Sequence, residues 1–264
     1  MGLAYFRWQG NRFAIPVSLV VPGSEIPFTR SSDRDKAALD VIGIALDARQ
    51  TAVSNIRDTV KLAVNASAEV RRKNVQYNTV LLLPAGKYHL KFVVRENQTG
   101  RMGSFETDLN VPDLKTAPLR MSSVVLASQT QPAKTKGNNP NPLIHDGAEI
   151  IPNVTHVFSV AQHLLLYYEI YDPGHLREPS AIRDGKPGVH LLSNVSFFQG
   201  AVKAYESSLV EVSGANAHER DAAVFQLDVP LNSLKPGFYI CQVNIIDDVS
   251  GHFLFPRFAL LVRR

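Results

Sequence analysis

The side chains that could do chemistry in this chain are few and widely spaced. It has one cysteine, Cys241, which excludes an intrachain disulfide. A lone thiol can serve as a nucleophile. The stretch around it, "GFYICQVNIID", has a close parallel upstream, "GKYHLKFVVRE", with Leu90 in the matching place. A position that accepts leucine wants a buried apolar group, so Cys241 is expected to be a core thiol. Eight histidines are scattered without an H-E-x-x-H or C-x-x-C pattern, so zinc has no local signature. His156 and His163 flank a strand end and would need a third ligand from elsewhere. A hydrogen-bonded core or rim histidine is the simpler reading of His156.

Paired carboxylates are another route to chemistry, since glycoside hydrolysis needs two acids facing one bond. Glu169, Asp172 and Asp228 are the candidates, and "YDPGH" and "AHERD" each bring an acid near a histidine. Isolated acids on outward strand faces more simply keep a surface solvated. Glu96, Asp247 and Asp248 could offer oxygens to Ca²⁺. The run Asp-Asp-x-Ser-Gly is equally what a β-turn prefers. No G-x-S-x-G elbow, Walker loop or G-x-G-x-x-G occurs. The expectation is a chain without catalytic, cofactor-binding or metal-ligating residues.

The elements that would position these groups are strands. "KYHLKFVVR" puts Tyr88, Leu90, Phe92 and Val94 on one face, with Lys87, His89, Lys91 and Arg95 on the other. "VTHVFSV", "VSFFQGAVKAY" and "AAVFQLDV" alternate in the same way. In "TVKLAVNASAEV", Val60, Leu62, Val64, Ala66, Ala68 and Val70 share a face. That predicts a strand running through 70, although the Ala-, Arg- and Lys-rich stretch 63–74 is the best helical candidate. Short strands separated by Gly, Pro, Asn and Asp predict an all-β fold of sandwich type. "VPDLKTAP" reads as a stiff linker at about 112–118, dividing a domain 1–113 from a domain 118–264.

Two stretches are nearly the same sentence. "LPAGKYHLKFVVRENQTGRMGSFETDLNV" and "LKPGFYICQVNIIDDVSGHFLFPRFALLV" align without a gap, Leu83 with Leu234 through Val111 with Val262. Gly86 meets Gly237, Tyr88 meets Tyr239 and Gly100 meets Gly251. Each copy reads as turn, strand, polar hairpin and strand, with Gly100 or Gly251 supplying a positive φ in the connection. A weaker parallel joins "AIPVSLVVPG" to "LLLYYEIYDPG". Two tandem copies of one sandwich follow. "LKPGFYIC" further resembles the tyrosine corner of immunoglobulin-like and fibronectin type III-like domains, where a Tyr hydroxyl bonds back to nearby backbone. The second cysteine of true immunoglobulin domains is missing.

Composition excludes several classes. With 45% hydrophobic and 20% charged residues the chain is an ordinary globular one. No apolar run approaches the ~20 residues that span a bilayer, so no membrane insertion is expected. The net charge of +4 is scattered, with Arg71, Arg72 and Lys73 its densest cluster. A nucleic-acid surface would be denser and interleaved with aromatics. The opening "MGLAYFRWQG" has no signal-peptide pattern, so the chain is expected to be cytoplasmic or a fragment of a longer exported protein.

Three phrases go beyond generic strand wording: "YFRWQGNRFAIPVSLVVPGSEIPF", "LLLPAGKYHLKFVVRENQTGRMGSFETDLNVPDL" and "LRMSSVVLASQ". They resemble the C-terminal β-rich region of bacterial VWFA-related proteins, of the Acidobacteria type. In such proteins a von Willebrand factor A-like domain comes first. No D-x-S-x-S metal motif stands in this sequence, so that domain's adhesion site is not carried over. The resemblance implies an extracellular or periplasmic setting. The expected function is a non-catalytic spacer or protein-interaction module. Its contact surface is placed on loops 127–149 and 172–190, with Tyr167, Tyr171, His175 and Arg177 as candidates. The competing expectation is carbohydrate binding or processing on a β-sandwich, with Tyr167 and Tyr171 as exposed rings.

Overall fold

Alternating stretches become strands, and the protein is all-β. The computed structural model describes residues 1–31, 33–65, 67–133, 140–176, 188–214 and 222–264. The chain divides into two compact units, Met1–Asp113 and Leu114–Arg264. Unit one holds β1 (Gly2–Leu3), β2 (Phe6–Arg7), β3 (Arg12–Pro22), β4 (Thr29–Ser31), β5 (Arg34–Leu46), β6 (Ala52–Val64), β7 (Asn74–Pro84), β8 (Gly86–Glu96) and β9 (Met102–Val111). Unit two holds β10 (Arg120–Met121), β11 (Val125–Pro132), β12 (Ile144–His145), β13 (Ala148–Pro152), β14 (Val157–Ser159) and β15 (His163–Tyr171). It continues through β16 (Leu191–Gln199), β17 (Val202–Glu206), β18 (Val210–Val212), β19 (Ala222–Pro230), β20 (Gly237–Asp247), β21 (His252–Leu254) and β22 (Arg257–Arg263).

Each unit has two sheets, and the pairing scheme repeats. In unit one, β3 pairs with β7 and with the short β1 and β2. In unit two, β15 pairs with β19 and with β10 and β11. The other sheet of unit one runs β6–β5–β8–β9, with β4 also on β5. Its counterpart places β17 and β18 on β16, β16 on β20, and β21 and β22 on β20. Unit two adds β13 beside β11, β12 beside β13, and β14 parallel to β22.

The gap-free alignment is a shared register. Gly86, Tyr88, Leu90 and Arg95 face Val111, Leu109, Thr107 and Met102. Gly237, Tyr239 and Cys241 face Val262, Leu260 and Phe258, and Ile246 faces Phe253. Both β8 and β20 bury their third, fifth, seventh, ninth and eleventh residues. A strand with one covered face must alternate in this way, because successive side chains point to opposite sides. In unit two one apolar cluster draws on both sheets: Leu166, Tyr168, Ile170 and Phe225 from one, Val195, Phe197, Cys241 and Val243 from the other. Tyr168 stacks on Phe225 at 5.2 Å, and its hydroxyl donates to Ser193 Oγ of the opposite sheet.

Two expectations about local structure are corrected. The strand predicted through 70 ends at Val64, and Ser67–Arg71 forms a helix of five residues. The chain must leave the β5–β6 sheet for the β3–β7 sheet here. The Ser67 amide donates to Asp35 Oδ2 at 3.0 Å, and the Gly23 amide ties Lys73 O at 2.8 Å. Ala, Glu and Arg favour a helical turn over that crossing. The loop 127–149 is partly built from strands, since β11, β12 and β13 take up 127–132, 144–145 and 148–149. Residues 134–139 of that loop, and 177–187 of the other, lie outside the described residues.

Candidate interaction face

The groups singled out as possible chemistry are engaged in holding the fold. Cys241 is buried on the inner face of β20, and burial pushes its thiol pKa up to about 12. A thiol that hard to ionise is a poor nucleophile. Glu96 ends β8 and is buried. It accepts the Thr99 amide and hydroxyl, each at 2.7 Å, and the Gln98 amide. Burial alone would raise its pKa. The bonds from Thr99, Gln98 and Gly100 outweigh that and hold the carboxyl below the usual range. Asp247 ends β20 and accepts the amides of Val249 and Ser250 at 3.2 Å and of Gly174 at 2.7 Å. Both hairpins turn at a left-handed glycine, Gly100 at φ +75° and Gly251 at φ +71°.

The tyrosines close a matching pair of bonds. Tyr88 donates its hydroxyl to Pro84 O at 3.0 Å, and Tyr239 to Lys235 O at 2.8 Å. Gly86 and Gly237 open these strands where space is short. A Cβ at Gly86 would lie 3.2 Å from Tyr88 Oη, and one at Gly237 2.8 Å from Gln199 Nε2.

The contact surface expected at Tyr167 and Tyr171 is overturned. They do share a face, but both are 0% exposed. Glu169 sits between them, also buried, and takes the Tyr171 hydroxyl at 2.9 Å and the Tyr167 hydroxyl at 3.2 Å. Tyr167 also donates to Pro142 O at 3.0 Å, and its ring meets His145. The segment around Pro142 therefore lies over the Tyr167 ring, which alternation alone placed on an open face. The same burial removes these rings, with Glu169, as a sugar platform. His175 is exposed, as expected, and Arg177 lies outside the described residues.

Two histidines among the described residues sit in carboxylate clamps. His89 Nδ1 lies 2.7 Å from Asp108 Oδ1 and Nε2 3.3 Å from Glu106 Oε2. His190 has Asp248 at 2.9 Å and Glu211 at 3.0 Å. Hydrogen bonding to Asp108 raises the His89 pKa, and bonding to Asp248 raises that of His190. Among the described residues no three His, Cys, Asp or Glu side chains are grouped to hold a metal ion, and no helix is long and apolar enough to cross a membrane.

The surface that stands out is the outward face of the β20 sheet. Phe238 is 59% exposed and pairs with Leu261; Phe253 is 61% exposed and pairs with Ile246. The Phe255 ring meets that of Phe253 at 5.3 Å, tilted by 30°. Between these apolar ends runs a hydrogen-bonded row. Arg257 Nε donates to Gln242 at 2.7 Å, Gln242 to Asn244 at 2.6 Å, and Asn244 to Asn194 at 2.8 Å. The hairpin of unit one has the same pattern of buried inner positions and a different outer face. Lys87, His89, Arg95, Met102, Ser104 and Asn110 stand where Phe238, Ile240, Ile246, Phe253, Phe255 and Leu261 stand in unit two. Adjoining exposed apolar side chains, such as Phe253 and Phe255 here, mark contact surfaces where single ones do not. The sequence carried this signal, because β20 places Phe238, Ile240 and Ile246 at outer positions where β8 places Lys87, His89 and Arg95. No family model matches the chain, and no curated protein matches it in sequence.

Proposed function

We propose that the protein is a non-catalytic pair of immunoglobulin-like or fibronectin type III-like sandwiches. They serve as a spacer and protein-interaction module of an exported bacterial protein of the VWFA-related kind, in the periplasm or outside the cell. The observation that carries this reading is the contrast between the two hairpins. Their inner faces match residue for residue in burial, whereas the outer face is charged in unit one and aromatic in unit two. One unit then presents a solvated surface and the other a contact face. The repeated pairing scheme and the two tyrosine-to-backbone bonds support the sandwich assignment. The burial of Cys241 and the turn-binding roles of Glu96 and Asp247 support a non-catalytic one.

A carbohydrate ligand is the second reading. The Phe253–Phe255 pair near an Asn and Gln row offers rings and hydrogen-bonding groups together. The test compares the chain with a Phe238→Ser, Phe253→Ser double variant on panels of cell-envelope proteins and on a glycan array. The leading reading expects a protein ligand whose affinity falls at least tenfold in the variant, with an unchanged melting temperature. Glycan hits lost in the variant carry the second reading. Binding indifferent to both substitutions, or turnover of a glycoside substrate, overturns the proposal.

A further inference from the structure

A separate feature concerns the β6–β5–β8–β9 sheet of unit one. Its outer strands, β6 and β9, each pair on one side only among the described residues. Both are long, and their outward-facing residues Arg57, Thr59, Lys61, Ser104, Glu106 and Asp108 are exposed. Natural sheets blunt such edges with charge, because a free edge templates pairing with another chain. Charge of one sign at both edges would repel a second copy. Here the signs are opposite: Arg57 and Lys61 on β6, Glu106 and Asp108 on β9.

We propose that this sheet continues into a second copy of the chain, β6 of one copy pairing with β9 of the next. Every neighbour in the sheet is antiparallel, so β6 and β9 run in opposite directions. A second copy in the same orientation therefore brings its β6 antiparallel to β9, as pairing requires. One register satisfies both faces. Arg57 lies opposite Asp108 on the outer face, with Lys61 diagonal to Glu106. On the inner face Val60 lies opposite Phe105 and Leu62 opposite Gly103. Gly103 and Phe105 border an open cleft of about 230 Å³ lined by Val21, Ile26, Leu39 and Val94. Leu62 of the second copy projects into it. Glu106 and Asp108 already contact His89 and Lys91, but each uses one oxygen, Oε2 and Oδ1, leaving the other for the new partner. The contact is head-to-tail and does not close, so it builds open assemblies rather than a fixed dimer.

Sedimentation of the full chain across protein concentration tests this. The expected result is a mass that rises with concentration at low salt and falls back at 1 M, where charge is screened within about 3 Å. Arg57→Glu with Lys61→Glu, and separately Glu106→Lys with Asp108→Lys, should each weaken association at least tenfold. An equimolar mixture of the two double variants should recover it, because each supplies the charge that the other lacks. As a second readout, Arg57→Cys and Asp108→Cys chains mixed under mild oxidation should form a mixed disulfide in preference to either like pair. A wild-type chain that stays monomeric at every concentration overturns the proposal. So does association that both double variants leave intact, which would place the contact elsewhere, for instance on the Phe238 and Phe253 face.

Discussion

Glu96 and Asp247 hold the same place in two hairpins. Each is the last residue of a central strand, each is buried, and each accepts the amides of the turn that follows. Each also faces a leucine across the sheet, Leu39 for Glu96 and Leu191 for Asp247. An acid that gathers turn amides locks the hairpin, and therefore the register of both strands.

Removing either acid should be costly. Asp247→Ala leaves the amides of Val249, Ser250 and Gly174 without their acceptor, and should destabilise by roughly 2–4 kcal/mol in urea unfolding. Asp247→Asn keeps one acceptor oxygen and should lose less. The Glu96 pKa is depressed in the folded state, so its contribution is present above the unfolded carboxyl pKa of about 4.3. It is lost as pH falls through the folded value. Acid unfolding of a Glu96→Gln variant should therefore be less steep than that of the wild type. An unchanged acid midpoint would count against the role assigned to Glu96.

The tyrosine bonds offer a graded test. Tyr88→Phe and Tyr239→Phe remove one hydroxyl-to-carbonyl bond each, and should cost about 1 kcal/mol. The alanine variants also lose a buried ring, and should cost about 3–5 kcal/mol. Parallel losses in the two units, read from separate melts of each mutant, would show that the two corners are equivalent. A near-neutral alanine variant would refute that.

His89 and His190 set a dependence on mildly basic pH. Their pKa values are raised in the folded protein, by Asp108 first for His89 and by Asp248 first for His190. Their stabilisation is fully present below the unfolded histidine pKa of about 6.5 and fades as pH rises through the folded values. Urea midpoints should fall as pH rises above about 6.5, and a His89→Asn, His190→Asn double variant should flatten that slope.

Gly43 is fixed by close packing. It lies opposite Phe92 across the sheet, and a Cβ there would fall 2.3 Å from Phe92 Cε1. Phe92 is fully buried and has little room to retreat. Gly43→Ala should cost about 1–3 kcal/mol, and pairing it with Phe92→Leu should recover part of the loss. Additive losses in the double variant would argue that the two positions do not share space.

The inner half of the molecule was legible. Alternation placed Tyr88, Leu90, Phe92 and Val94 together, and the gap-free parallel with Tyr239, Cys241, Val243 and Ile245 foretold one register used twice. The turn glycines Gly100 and Gly251 were readable because a tight reversal demands a positive φ. The helix at Ser67–Arg71 was not, since its residues alternate as a strand would and the crossing between sheets decides their conformation.

Sequence by itself determined which side chains share a strand face, because the pleat turns successive residues to opposite sides whatever surrounds them. Tertiary structure alone decided which faces meet solvent. Tyr167 and Tyr171 stand on a buried face, with the segment around Pro142 over Tyr167, whereas Phe238 and Phe253 stand on one left open. Exposure depends on what packs against a face from distant parts of the chain, and no local period records that.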